Sequence, residues 1–272
     1  MTWLLEPATA VPPGKRMAEL WAREEILRMP GAHHAMAGIL AKQAGLEALY
    51  LSGNAVAGTF GNERRRPDQE HVLDIGGGGQ SVEIVAAIQI EDQILPKKCG
   101  HLNDKKLATA ADMAAKISAA RRARRHVRIV ARTDAVAQEG IEAGIARAKL
   151  YLQAGADAMF PEALTSEDMF RRFAAEVDAP LLANMTEFGR TPFFTAEQFE
   201  SFGFKMVIWP ATSFRACVKT LTDLYATLAR EGSAESFVPR LQTRAEHYET
   251  IRYYEYEALD SSILGSSLPT AG

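Results

Sequence analysis

The stretch 86–106, AAIQIEDQILPKKCGHLNDKK, decides how the rest of the chain is read. It opens as an apolar run over residues 86–90 and turns polar at Glu91 and Asp92; Pro96, Lys97, Lys98, Cys99, Gly100 and His101 follow closely. A short apolar run of this kind is a buried strand. A polar loop at its end is how a parallel α/β fold delivers reactive groups to one face of its sheet. Cys99, one of only two cysteines, stands beside Lys97, Lys98 and His101. Neighbouring cations lower a thiol's pKa, which makes Cys99 a usable acid, base or nucleophile. The plainer alternative at this point is an exposed basic loop that happens to hold a thiol.

Working outward, other apolar runs end in the same way. Residues 26–29 end in Pro30-Gly31, 46–51 in Ser52-Gly53-Asn54, 127–131 in Arg132-Thr133-Asp134, 156–160 in Pro161-Glu162, 180–183 in Asn184-Met185-Thr186-Glu187, and 205–209 in Pro210. With a weak run at 71–74 and the one before Glu91, the count is eight. Helical patterns separate them at 110–124, 139–154, 166–177 and 195–202. Strands that are apolar throughout and alternate with helices imply a parallel sheet covered on both faces. Eight of them in 272 residues imply an α/β fold of the (β/α)8 TIM type, whose strand ends converge on one mouth.

Residues 1–16, with Pro7, Pro12, Pro13 and Gly14, read as an N-terminal arm. Residues 17–272 read as a single barrel domain with a C-terminal helical extension, predicted over 214–231 and 237–259. Tyr248, Tyr253, Tyr254 and Tyr256 in the second of these segments are expected to form an ordinary core face. A helix that extends beyond a barrel can also pack on another subunit, so a homo-oligomer is expected.

Composition narrows the function. At 47% hydrophobic residues the chain can bury a sizeable core, and its net charge of -3 gives no electrostatic case for nucleic acid or an anionic membrane. Two cysteines as far apart as Cys99 and Cys217 form neither a disulfide framework nor a zinc-ligand set. No apolar segment approaches ~20 residues, and residues 1–16 lack the pattern of a signal peptide, so a cytoplasmic setting is expected.

Several short motifs stand at the strand ends in a fixed order: PGAH (30–33), YLSG (50–53), QIEDQ (89–93), KKCGH (97–101), ARTDA (131–135), FPEA (160–163) and NMTEFG (184–189), with LQTRAEHYE (241–249) beyond the barrel. Together they resemble the isocitrate lyase/phosphoenolpyruvate mutase superfamily, and most closely its 2-methylisocitrate lyases. The resemblance covers roughly residues 17–60 and 86–265. It implies a carbon–carbon lyase that uses magnesium (Mg2+) and splits a tricarboxylate, 2-methylisocitrate, into pyruvate and succinate by retro-aldol chemistry. It also implies a homotetramer.

Carried over residue by residue, the resemblance makes Cys99 the acid that protonates the succinate half, with Lys97 beside it. Gly100 and His101 bind a carboxylate or shape the loop, and Tyr50 helps with the hydroxyl proton. Ser52, Gly53 and Asn54 hold the keto-acid carboxylate, although the family usually has a glycine at the place of Asn54. Arg132 clamps a carboxylate with two parallel bonds, a geometry lysine lacks, unless it is tied instead to a barrel-end acid such as Asp134. Glu162, Asn184 and Thr186 complete a polar wall, Arg215 holds the far carboxylate, and Phe160 lines an apolar patch for the extra methyl group.

The resemblance fails between Gly61 and Ala86, where GNERRRPDQEHVLDIGGGGQSVEIVA replaces the family's Asp-Ala-Asp-x-Gly strand end and the helix after it. Asp74 stands for the first metal aspartate, with Glu91 as an outer partner, while Gly76 occupies the place of the second. Residues 76–85 are too few for a barrel helix with two loops, and a run of glycines opposes a helix start, so the barrel is expected to be irregular over 62–85. A diverged metal site, a deletion or reading-frame change, and a fault in the sequence itself all account for this. Two other functions follow from the same residues: a related lyase acting on isocitrate or a dimethylmalate, and an impaired barrel that binds dicarboxylates without cleaving them.

Overall fold

The computed structural model describes residues 11–59, 70–74, 85–94 and 105–264. Its strands are β1 (Leu27–Pro30), β2 (Ala48–Leu51), β3 (Glu70–Asp74), β4 (Val85–Glu91), β5 (Arg128–Thr133), β6 (Ala158–Pro161), β7 (Leu182–Asn184) and β8 (Met206–Trp209). Two hydrogen-bonded runs, β1-β8-β7 and β2-β3-β4-β5-β6, are joined by single parallel bridges at Gly31–Tyr50 and Met159–Leu181. The ring therefore closes as the expected (β/α)8 barrel. Outside it lie α1 (Pro13–Trp21), α2 (Ala35–Gln43), α3 (Gly53–Thr59), α4 (Ala110–Ala123), α5 (Val136–Glu139), α6 (Ile141–Ala154), α7 (Glu167–Glu176) and α8 (Ala196–Ser201).

β3 departs from the pattern. It runs antiparallel to both neighbours, pairing Ala48 with Asp74 and Leu51 with His71 on one side, and Glu70 with Gln89 and Leu73 with Val85 on the other. The cause is chain length. Only residues 75–84 separate β3 from β4, whereas a parallel neighbour needs a crossover of about a dozen residues or more and an antiparallel one needs only a turn. The irregularity expected at 62–85 is thus a reversed strand within the barrel wall.

Alternation along the strands builds two cores. The inner one joins Leu27, Met29, Ala48, Tyr50, Ala87, Val130, Ala158, Phe160, Leu182, Met206 and Ile208. Met17, Leu20 and Trp21 of α1 belong to the same cluster, and Arg128 Nε donates to Gly14 O (2.9 Å), so α1 closes the end where the strands begin. A Cβ on Gly14 would stand 1.7 Å from the His126 carbonyl oxygen, which only glycine avoids. The outer core sets Ile129, Ala131, Met159, Ala183 and Val207 against Met113, Ile117, Tyr151, Phe170, Phe173 and Phe199 of the helices.

α1 corrects the expected arm over 1–16. Pro13 occupies the first helical turn, where its missing N–H costs nothing, so a helix already begins inside the expected arm. The chain divides into compact units between Ala216 and Cys217. The second unit carries most of α9 (Thr212–Glu231), a 3-10 turn (Glu235–Arg240), α10 (Arg244–Thr250) and α11 (Tyr253–Leu264). The helix expected over 237–259 is broken, because Arg252 takes a positive φ of 57° between α10 and α11. Its tyrosines are not an ordinary core face: Tyr253, Tyr254 and Tyr256 are exposed, with Tyr253 stacked on Tyr248 at 4.5 Å.

Candidate active site

With α1 at one end, the mouth is the end where the parallel strands finish. Residues of the inward parity there are Tyr50 and Ser52 on and after β2, Gln89 and Glu91 on β4, and Arg132 and Asp134 on and after β5. Phe160 and Glu162 stand at β6, and Asn184 and Thr186 at β7.

Arg132 is the centre of this set and is almost wholly buried. Its Nε and Nη2 donate to the Asp134 carboxylate at 2.9 and 3.1 Å. Nη1 lies 3.1 Å from Glu162 Oε2 and Nε lies 3.3 Å from Glu91 Oε2. The guanidinium carbon sits 5.0 Å from the centre of the Phe160 ring. The rival expectation of an Arg132–Asp134 ion pair is therefore met, and Glu91 and Glu162 join it. Lys105, also buried, donates to Asp134 Oδ1 at 3.0 Å. The cluster thus holds Glu91, Asp134 and Glu162 against Arg132 and Lys105.

These charges stabilise one another. Burial opposes the charge on Arg132, but Asp134, Glu162 and Glu91 outweigh it and raise the guanidinium well above its usual range. Burial alone would raise the Asp134 pKa; Arg132 and then Lys105 reverse this and hold it at about 2. A folded pKa below the unfolded value contributes stability above the unfolded pKa, and that stability is lost as pH falls through the folded one. Asp134→Asn is accordingly expected to destabilise the chain by ~2 kcal/mol at neutral pH, with the difference from the parent closing between about pH 4 and pH 2. Denaturant melts across that range check it; a pH-independent difference would contradict it.

The other expected residues are placed as follows. Tyr50 is buried and its hydroxyl donates to Gln89 Oε1 at 2.8 Å, so the hydroxyl expected to handle a proton is engaged within the barrel. Ser52 is buried and Gly53 opens α3, with Ser52 O accepting Val56 N–H at 3.0 Å; the side chain of Asn54 is outside the described set. Asn184 Nδ2 lies 3.3 and 3.4 Å from the two Glu162 oxygens. Its Oδ1 is buried and has no hydrogen-bond partner among the described residues. Arg215 pairs with the Glu187 carboxylate, donates to Glu187 O at 3.0 Å and reaches Thr186 Oγ1 at 3.4 Å. It also faces the ring of Phe188, a residue with φ 60° and 93% exposure. Cys99, Lys97, Gly100 and His101 lie outside the described residues.

The expected metal pair is corrected. Because β3 is reversed, Asp74 pairs with Ala48 at the beginning of β2, whereas Glu91 pairs with Arg132 where β4 and β5 finish. The two acids stand at opposite ends of the barrel. Carboxylate oxygens suited to a hard cation do gather at the mouth, but among the described residues Glu91, Asp134 and Glu162 all converge on the Arg132 guanidinium.

Three residues of the site were not singled out as functional from sequence: Lys105, Asp134 beyond its role as a rival partner, and Asp92. Asp92 is fully buried, and burial raises its pKa. Its neighbour Glu91 was named as an outer metal partner; the opposite parity of Asp92 at the end of β4 is the signal that could have placed it behind the mouth.

The phosphoenolpyruvate phosphomutase family matches residues 82–229. The chain is 46% identical to the 2-methylisocitrate lyase of Bacillus subtilis over 93% of its length and 94% of the relative's. It is 44% identical to that of Halalkalibacterium halodurans over 97% and 98%, and 41% identical to that of Aeropyrum pernix over 92% and 91%. The Bacillus alignment runs to 283 positions, more than 93% of this chain can fill, so that relative carries residues that are missing here. Among solved structures, 2,3-dimethylmalate lyase superposes with a TM-score of 0.78 at 24% identity, covering 97% of this chain and 99% of that one. A phosphonopyruvate hydrolase in complex with oxalate and Mg++ superposes at 0.77 and 19% identity over 93% and 100%. At these identities the structures speak for the fold alone.

Proposed function

The chain belongs to the 2-methylisocitrate lyases of the phosphoenolpyruvate phosphomutase family, and from that membership we infer that it cleaves 2-methylisocitrate to pyruvate and succinate. It is a carbon–carbon lyase. In the reaction the substrate hydroxyl loses its proton and its carbon becomes the carbonyl of pyruvate. The electron pair of the broken bond passes to the succinate half, which then takes up a proton. The observation that carries the reading to this chain's own residues is the buried Arg132 among acids at the barrel mouth.

Arg132 binds a substrate carboxylate when Glu91 or Glu162 gives way to it, since an anion competes directly for the same donors. Asp134 keeps its two bonds throughout and fixes the guanidinium plane. Arg215 meets the far carboxylate by the same exchange with Glu187, and Thr186 steadies its Nη1. Asn184 Oδ1 supplies an acceptor to the polar wall, and the segment Ser52-Gly53-Asn54, where β2 passes into α3, holds the keto-acid carboxylate. Cys99, flanked by Lys97 and followed by Gly100 and His101, delivers the proton to the succinate half. Tyr50 acts through Gln89 on the wall near the reacting hydroxyl.

The family uses a divalent metal, and we assign magnesium, with Glu91 as the described residue beside it. When bound, such an ion would supply Lewis-acid polarisation of the hydroxyl and carboxylate oxygens of the half that becomes pyruvate. We further propose that the protein works as a homotetramer in the cytoplasm. No helix among the described residues is long and apolar enough to cross a membrane. Val218, Leu221, Tyr225 and Leu228 form an exposed apolar stripe along α9 with the three-and-four spacing of a helix–helix seam, which a second copy of the chain would cover. Light scattering should return four chain masses; a monomer would refute the assembly.

Phe160 sets substrate preference by accepting the extra methyl group. One methyl group in an apolar pocket is worth ~1–3 kcal/mol, so kcat/KM for 2-methylisocitrate is expected to exceed that for isocitrate by about 10–200-fold. Parallel assays of pyruvate and glyoxylate release check this. Equal rates, or faster cleavage of a dimethylmalate, would favour the related lyase.

A further inference from the structure

Where the sheet between β4 and β5 ends, a side chain takes over the ladder. The main-chain register finishes at Glu91–Arg132, with Asp92 N donating to Arg132 O at 3.3 Å. Beyond it, Asp92 Oδ1 accepts the Asp134 N–H at 2.9 Å and Asp92 Oδ2 accepts the Thr133 hydroxyl at 2.8 Å. Asp92 therefore fixes the main chain of the residue whose carboxylate grips Arg132.

A second layer holds Asp92 from behind. Tyr151 OH donates to Asp92 Oδ2 at 2.9 Å, and Arg147 Nη1 lies 3.4 Å from the same oxygen. Arg147 Nη1 also donates to Ala108 O at 2.9 Å and reaches Tyr151 OH at 3.2 Å, while Glu139 holds its Nε and Nη2 at 3.1 Å each. Ala108 N in turn donates to Asp92 O at 2.8 Å, and Gln138 Nε2 donates to the carbonyl of Lys105, the second cation on Asp134, at 2.6 Å. Arg147 and Tyr151 lie on α6, outside the barrel.

We propose that Asp92, held by Arg147 and Tyr151, is a positioning residue that sets the plane of the Arg132 clamp through the main chain of Asp134. The proposal rests on the reading of Arg132 as a carboxylate clamp. A guanidinium binds a carboxylate well only when both planes align, and small misplacements of positioning groups cost up to about 100-fold in the productive complex. A buried acid with four donors, two from the end of β5 and two from α6, fixes such a plane without touching the substrate. Asp92 thereby links an outer helix to the mouth.

The test is calorimetric binding of succinate to the full chain, alongside pyruvate release by the parent. Asp92→Asn is expected to weaken succinate by about 10-fold or more, and to add no further loss on an Arg132→Lys background, because a residue acting through another is non-additive with it. Arg147→Met, which keeps Asp92 in place, is expected to weaken binding about 10-fold, and Arg147→Lys to recover most of it by restoring the charge. If the variants melt lower but bind succinate as the parent does, or if the Asp92 and Arg132 losses add, the network is a staple of the fold and the proposal is overturned. A parent that neither binds succinate nor releases pyruvate overturns the functional reading itself, and the proposal with it. Should Asp92→Asn fail to fold, the Arg147 pair decides the matter alone.

Discussion

Arg132→Lys is expected to lower kcat/KM for 2-methylisocitrate by about 100-fold or more while the chain stays folded. The reasoning starts from the acids around it. Glu91, Asp134 and Glu162 all lie within hydrogen-bond reach of the guanidinium, and Lys105 pairs with Asp134. Lysine keeps the positive charge that neutralises these buried groups, but it cannot offer two parallel donors to Asp134 and another edge to a substrate. Loss of a desolvated, hydrogen-bonded charge contact costs about 2–5 kcal/mol, and 2.7 kcal/mol is already about 100-fold. Arg132→Ala goes further, leaving buried carboxylates facing one another, and should cost about 3–5 kcal/mol of folding stability. Steady-state kinetics and thermal melts separate the two variants. A lysine enzyme within a few-fold of the parent would show that Arg132 serves the fold and not the substrate.

The second large effect is at Cys99. Cys99→Ser should abolish measurable turnover while leaving the melting behaviour of the parent. Serine is nearly the same size, but its hydroxyl is a far weaker acid than a thiol flanked by Lys97 and Lys98. A positioned general acid contributes about 100- to 10,000-fold, so its loss removes most of the rate if protonation of the succinate half limits the reaction. Rapid-mix single-turnover assays of pyruvate and succinate give the answer. Parent-like rates in the variant would assign the proton to another group.

How much of this was legible in the sequence depends on what each residue's pattern reports. Glu91, Arg132, Phe160, Glu162 and Asn184 were singled out because the motifs that carry the family resemblance stand at the ends of apolar runs, and the structure's alternation sends them inward together. The company Arg132 keeps was only partly readable. Asp134, two residues along the same segment, was visible as a rival partner, whereas Glu91 and Glu162 come from neighbouring strands and need the register. Asp92 was missed because a fully buried acid of outward parity looks like any polar residue at a strand end. Asp74 was misplaced for another reason: an apolar run reports a strand but not its direction. The shortness of the segment after it was noticed, and reversing β3 is how the chain accommodates that shortness. Pro13 was read as a helix breaker, yet at the first turn it is a helix starter.

The most direct measurement is pyruvate release from 2-methylisocitrate by the purified chain, first with magnesium and then after chelation. Release that needs magnesium, with succinate in equal amount, is the predicted result, and it would require the metal to be held although Asp74 stands at the far end of the barrel from Glu91. No release from folded protein, with magnesium present, would contradict the lyase and leave a barrel that binds dicarboxylates without cleaving them.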